Sequence, residues 1–421
     1  MLEDIKFPPD FLWGSSTSAY QVEGGIENND WTEAARAGRI PAAGLACDHY
    51  NRYEDDFDIA KSLSQNTHRF SIEWARVEPE EGRFDEGTIE HYRKVLQALR
   101  NRGLEPFVTL WHFTLPIWFA GMGGFENKKA SFYFARYCEY VVSRLASLRQ
   151  GFGGQGGTGV KFWITMNEPM VYVGQGYAQG SWPPFKKNFI KLLRVADNLI
   201  TSHNVAYQKI KAILPSSLVG IVADQVDYHH SNNPLSIILS MFMNWFRNHR
   251  FLNKIKNQLD FIGVNYYRPI IYYGKLDLEK TDMSWDIYPK GLYNVLMRLK
   301  HYRKPIYITE NGLADAVDTK RAKFIKNHLY WVNRAIHDGV DPVRSLARAK
   351  GASPEDLGEA TSNGVDIRGY FYWSLLDNFE WAHGFEPRFG LVEMNYDTME
   401  RRIRPSAYEY KKICETNSLS Q

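Results

Sequence analysis

Short runs of β-branched and aromatic residues alternate along the chain with longer segments whose apolar positions recur at helical spacing. Eight runs read as strands: Phe11 to Ser18, Thr67 to Trp74, Leu104 to His112, Lys161 to Pro169, Leu218 to Asp227, Phe261 to Tyr267, Pro305 to Asn311 and Val365 to Leu376. Between them the period changes, and helices are expected over Tyr53 to Ser64, Thr88 to Arg102, Phe132 to Leu148, Phe189 to Ile213, Leu292 to Tyr302 and Arg321 to His337. This alternation is the pattern of βα units around a parallel sheet. Eight such units close a (β/α)8 TIM barrel, an α/β fold whose chemistry sits at the C-terminal ends of the strands. No linker or break in composition divides the chain, so residues 1–421 read as one catalytic domain.

Two segments interrupt the pattern. The stretch from Leu235 to Phe246 is apolar but is broken by Ser236, Ser240 and Asn244. It falls short of the roughly 18 apolar residues of a membrane span, and reads as a packed helix. Glycines 151, 153 and 156 show the spacing GxGxxG. A dinucleotide fingerprint needs a strand before it and a helix after it; here a helix precedes and a strand follows, so a turn is the reading. A P-loop fails as well, because Lys161 is followed by Phe162.

Charge removes several partners. Lys and Arg total 51 against 48 for Asp and Glu, without a basic block to track phosphates, which argues against nucleic acid. The N-terminus carries charges where a signal peptide needs an apolar core, so no membrane partner is expected. Three cysteines at 47, 138 and 414 form no CxxC pair and suit a reducing, cytoplasmic setting rather than a disulfide framework. The histidines show no ligand spacing and there is no HExxH, so neither a metal nor another cofactor is expected. Oligomeric state is not readable from the chain.

The chemistry concentrates at two strand ends. The fourth strand finishes in Thr165-Met166-Asn167-Glu168-Pro169 and the seventh in Thr309-Glu310-Asn311-Gly312. Either glutamate alone could simply precede a turn. Together, at the functional ends of strands separated by only two others, they can face each other across the barrel mouth. A retaining glycosidase needs such a pair, with carboxyl groups about 5 Å apart.

Seven ordered segments carry a resemblance to family 1 of the glycoside hydrolases, the β-glucosidase and β-galactosidase family. They are Phe11-Leu12-Trp13-Gly14 through Tyr20-Gln21-Val22-Glu23-Gly24, Arg69-Phe70-Ser71-Ile72-Glu73-Trp74, Trp111-His112-Phe113, the Glu168 segment, Val264-Asn265-Tyr266-Tyr267, the Glu310 segment, and Trp373-Ser374-Leu375-Leu376-Asp377-Asn378-Phe379-Glu380-Trp381. The resemblance implies Glu168 as acid/base and Glu310 as nucleophile of a retaining, exo-acting β-glycosidase. It also implies a sugar-binding set of Gln21, His112, Asn167, Glu380 and Trp381 over a Trp373 floor, with a cis peptide after Trp373. Arg69 and Tyr267, at the ends of strands two and six, are placed to keep a nucleophile ionised.

The expected partner is therefore a small-molecule β-glycoside. Two rivals remain: an inactive sugar-binding barrel, disfavoured by the presence of both carboxylates, and a phospho-β-glycosidase, disfavoured because Glu380 would repel a phosphate. The chain departs from the family pattern in a polar stretch from Asp341 to Asn363 before the eighth strand, and in a short connection between strands five and six. Both that stretch and Gly151 to Gly159 lead from a helix to the next strand, a position opposite the active face.

Overall fold

The computed structural model describes residues 5–146, 160–272, 276–338 and 364–420. The Gly-rich turn at 151–159, the polar stretch at 341–363 and the last residues of the expected helix at 132–148 lie outside the described residues. Eight parallel strands close a barrel: β1 (Leu12–Ser16), β2 (Thr67–Ser71), β3 (Glu105–Thr109), β4 (Phe162–Asn167), β5 (Leu218–Asp224), β6 (Phe261–Asn265), β7 (Ile306–Asn311) and β8 (Ile367–Trp373). Each pairs with its sequence neighbour, and β8 returns to β1 in a register running from Gly369 opposite Leu12 to Trp373 opposite Ser16. Each strand lies inside or within one residue of the run expected for it.

The helices follow from phase. In Glu86–Asn101 the buried positions include Ile89, Tyr92, Val95, Leu96 and Leu99, one stripe at helical spacing. Asp85 caps that helix by accepting from the Thr88 amide at 2.6 Å. Asn188 does the same for Phe189–Ile213, through the Lys191 amide at 3.0 Å.

Strand alternation sorts the barrel interior into layers. Phe107, Phe162, Ile164, Val222, Phe261, Tyr307 and Phe371 fill the N-terminal half as one apolar cluster. Phe107 stacks on Phe162 with ring centres 4.0 Å apart and meets Tyr307 and Phe371 edge-on. Two residues further along β3 and β7, on the same inward side, Thr109 and Thr309 begin a polar layer with Arg69 and Asn265, all fully buried. Strict alternation would then turn the next residue of β7 outward. Instead the register of β7 slips between Ile308 and Glu310, and that of β4 slips between Ile164 and Asn167. Such irregularities re-aim side chains. Here they turn Glu310 and Asn167 toward the axis.

Backbone geometry completes the site. Glu168, directly after β4, has φ of 43°, a left-handed conformation costly for a residue with a Cβ and common where function requires it. Gly312 closes the Thr-Glu-Asn-Gly segment because any Cβ there would come within 1.8 Å of the Trp373 carbonyl oxygen.

The apolar stretch after β5 departs from expectation. It is helical, over Pro234–Met243 and a wider turn at Asn244–His249, but its inward face is Ser236 and Ser240. Ser236 donates to the Tyr272 carbonyl at 2.9 Å, tying the helix to a small parallel sheet formed by Asp227–His230 and Pro269–Tyr272. Leu235, Ile238, Met241, Phe242 and Trp245 are exposed. The stretch is a helix as expected, but it packs through its serines and its apolar face points away from the body.

The described residues flanking 339–363 enter β8 at its start, the barrel end opposite Glu168 and Glu310. Trimming 341–363 to a short turn is therefore expected to leave kcat/KM for an aryl β-glucoside nearly unchanged, with any loss confined to thermal stability. A folded, trimmed protein with about tenfold lower kcat/KM, equivalent to about 1.4 kcal/mol of barrier, would place the segment at the active face.

Candidate active site

A cavity of about 470 Å³ opens at the C-terminal ends of the strands. Gln21, His112, Asn167, Glu168, Tyr267, Glu310, Trp373, Glu380 and Trp381 line it, so nine of the ten residues singled out in the sequence share one cavity. The tenth, Arg69, lies fully buried beneath it.

Arg69 organises the floor. Its guanidinium forms an ion pair with one Glu310 oxygen, donates to the Asn167 carbonyl oxygen at 2.6 Å, and reaches the Thr109 hydroxyl at 3.1 Å. Tyr267 donates to the other Glu310 oxygen at 2.6 Å. Burial raises the Glu310 carboxyl above the ordinary range, while Arg69 and Tyr267 oppose the rise. Glu168 has no comparable cation in contact. Burial pushes its carboxyl well up, and the negative charges of Asp224 and Glu310 push further, against one hydrogen bond from Asn265 at 2.8 Å and the more distant Arg247. The two carboxyls are therefore split: Glu310 gives up its proton before Glu168 does.

Asn265 ties them together. Its carbonyl oxygen accepts from Thr309 at 2.8 Å, which fixes the orientation of the amide; the nitrogen donates to Glu168 and also lies beside Glu310. Both carboxyls thus approach the same amide.

A second chain of hydrogen bonds sets the polarity of His112. With the Asn167 oxygen committed to Arg69, its amide nitrogen faces His112 Nε2 at 3.1 Å and donates to it. Burial, with Arg69 nearby, drives the imidazole well below its usual range, so it is neutral and carries its proton on Nδ1. That nitrogen is buried and has no partner among the described residues. It is a donor awaiting an acceptor.

Opposite, Glu380 is pushed up to about 8 by burial and by Glu310, against hydrogen bonds from Trp373 and Gln21. Gln21 is held by Ser18 at 2.7 Å, Asn378 at 2.9 Å and the Phe379 carbonyl at 2.8 Å. His112 stacks on Trp381 at 5.9 Å and lies near-parallel to Trp373 at 6.2 Å, giving flat apolar walls. The Trp373–Ser374 peptide is cis. Among the described residues no group of three or more His, Cys, Asp or Glu is arranged to hold a metal ion.

The family model for glycosyl hydrolase family 1 matches residues 3–252, 273–348 and 355–419. The chain belongs to glycosyl hydrolase family 1. It is 32% identical to β-glucosidase A of Acetivibrio thermocellus, over 99% of this chain and all of that one. Among solved structures it resembles a β-glycosidase from Pyrococcus horikoshii, with a TM-score of 0.87, 36% identity, and coverage of 100% and 97% of the two chains. A β-glucosidase from Thermotoga maritima in complex with glucoimidazole gives a TM-score of 0.84 at 29% identity, covering 98% of this chain and 100% of that one. Membership makes this protein a glycoside hydrolase.

Within this family 1 site, sequence reading overlooked three residues. Asn265 sat in plain view in the Val-Asn-Tyr-Tyr segment. Asp224 and Arg247 gave no motif: Asp224 ends β5 and its partner arrives 23 residues later, with Arg247 Nε 2.9 Å from the carboxylate. Both line the cavity beside Glu168. Asp224→Asn removes a negative charge that favours the protonated form of Glu168, so the Glu168 pKa falls. An acid catalyst with a lower pKa loses its proton at lower pH; the alkaline limb of the kcat/KM profile is expected to move to lower pH. An unmoved limb would remove Asp224 from the electrostatics of Glu168.

Proposed function

We propose that this chain, acting as a single catalytic domain over residues 1–421, hydrolyses terminal, non-phosphorylated β-D-glucosides, and β-galactosides or β-fucosides as well, by double displacement. Glu310 is the nucleophile. Its carboxylate attacks the anomeric carbon while Glu168 passes its proton to the departing glycosidic oxygen, giving a glycosyl ester of Glu310 and a free alcohol. Ester formation removes the charge that helped keep Glu168 protonated, and Glu168, now a carboxylate, takes a proton from water as the water attacks the same carbon. Sugar leaves with its β configuration and both glutamates return to their starting states. Arg69 and Tyr267 position Glu310 and stabilise its charge.

The sugar sits over Trp373, with the His112 Nδ1 proton, the Asn167 amide, Gln21, Glu380 and Trp381 around its hydroxyls. Glu380, held beside Gln21, suits a pair of neutral sugar hydroxyls. The observation that carries this reading is the split pair: one carboxyl clamped by Arg69 and Tyr267, the other free of a cation in contact, with one amide between them. Cys47 and Cys138 are buried free thiols and Cys414 a half-buried one, in keeping with a reducing, cytoplasmic setting.

The reading is tested by a panel of aryl β-glucoside, β-galactoside, β-fucoside and 6-phospho-β-glucoside, with the anomer of the first-formed sugar followed by proton NMR. β-Anomer from the neutral substrates is the expected result. First-formed α-sugar, or preference for the phosphorylated substrate, would defeat it.

A further inference from the structure

The helix at 234–249 is amphipathic in reverse, and its outward face lacks a partner among the described residues. Leu235, Ile238, Met241, Phe242 and Trp245 expose between 48% and 73% of their surface, spaced so that they form one continuous stripe. The rings of Phe242, Trp245 and Phe246 gather at its far end, with centres 5.9 to 6.4 Å apart. Isolated exposed apolar residues are ordinary on soluble proteins; a continuous stripe with an aromatic end marks a surface that contacts something. No helix of the described residues is long and apolar enough to cross a membrane.

Charge identifies the occupant. Between Asp227 and Asp260 the chain contains no Asp or Glu, while it contains Arg247, Arg250, Lys254 and Lys256. Arg247 is spent on Asp224; Arg250 and Lys254 share the single carboxylate of Asp197. Lys256 is exposed, as is half of Lys254, so an excess of positive charge remains where the apolar helix ends. A second copy packed stripe to stripe would bring no negative charge to meet them, since residues 228–259 contain no Asp or Glu. An anionic lipid surface accepts both features: apolar and aromatic side chains enter the headgroup boundary while lysines meet phosphates, as interfacial helices do without spanning.

Place in the fold adds a reason. The helix packs on the small sheet in which Ile270, with Val226 just before the other strand, lines the active-site cavity, and Arg247, at the helix end, lines that cavity too. The stripe is thus carried by a helix that itself reaches the cavity lining at Arg247. We propose that residues 234–249 form a lipid-contact surface that seats the enzyme on an anionic bilayer beside its active-site mouth.

Vesicle flotation of the full chain tests this, with phosphatidylcholine vesicles compared against vesicles also containing phosphatidylglycerol. The protein is expected to float with the anionic vesicles, far less with phosphatidylcholine alone, and to be released by salt. The double variant Ile238→Gln/Phe242→Gln, at exposed positions outside the cavity lining, is expected to lose about tenfold or more of that binding while hydrolysing a soluble aryl β-glucoside as before. The proposal is overturned by absence of flotation with either vesicle, by equal flotation with both, or by a variant that binds as well as the parent. It is equally overturned if light scattering finds a dimer that the variant converts to monomer, since the stripe would then be covered by a second copy.

Discussion

Glu310→Gly is expected to lower kcat for an aryl β-glucoside on the order of 10⁵-fold, about 7 kcal/mol of barrier, and added azide or formate is expected to restore cleavage. The size follows from the geometry. Removing the side chain deletes the attacking oxygen but leaves Arg69 and the Tyr267 hydroxyl aimed at the vacated space, which becomes a small anion site with a buried cation. Azide bound there lies where the carboxylate lay, below the anomeric carbon, and one displacement yields the α-glycosyl azide. That product lacks an enzymic nucleophile to reverse it and accumulates, so NMR reads its configuration directly. A variant that folds, binds glucose and is not rescued by any small anion would remove Glu310 from the nucleophile role. Retention of a tenth of the parent rate would do the same.

Glu168→Ala is expected to split by leaving group. An aryl glucoside whose phenol departs without a proton still glycosylates Glu310; the ester then waits for a water that lacks a base, so a burst of phenol precedes slow turnover. A glucoside with an alkyl aglycone needs the proton at the first step and is expected to lose about 10²–10⁴-fold in kcat/KM. Azide again accelerates turnover, now by attacking the ester, and its product is the β-azide. Opposite azide configurations from the two variants provide an internal check, because a shared structural defect cannot produce them. Equal losses on good and poor leaving groups would contradict the assignment.

The eight strands were legible because parallel strands around a barrel are buried on both sides and so concentrate β-branched and aromatic residues in short runs. The glutamates were legible because each ends such a run. What escaped reading shares a cause. Asp224 and Arg247 meet only because a helical excursion of more than 20 residues returns to the strand end that it left, and nothing local at either residue announces the pairing. The register slips that turn Glu310 and Asn167 inward are likewise relations between neighbouring strands. For the helix at 234–249, composition and length pointed to a packed helix; which face packs depends on Ser236 and Ser240 fitting closely against the sheet, a matter of packing that an apolar run does not encode.

The stacked aromatic layer across the lower barrel turns the cavity into a cul-de-sac. With Phe107, Phe162 and their neighbours closing the far end, traffic has one lane. A chain of sugars cannot be threaded through; it can only be backed in, terminal residue first, which enforces removal of one unit per visit. The first to enter is the last to leave: the alcohol departs past the mouth, water follows by the same route, and the freed monosaccharide waits until both exchanges are done. Monosaccharide at high concentration can re-enter that lane and hold it against new substrate, so the enzyme carries its own brake.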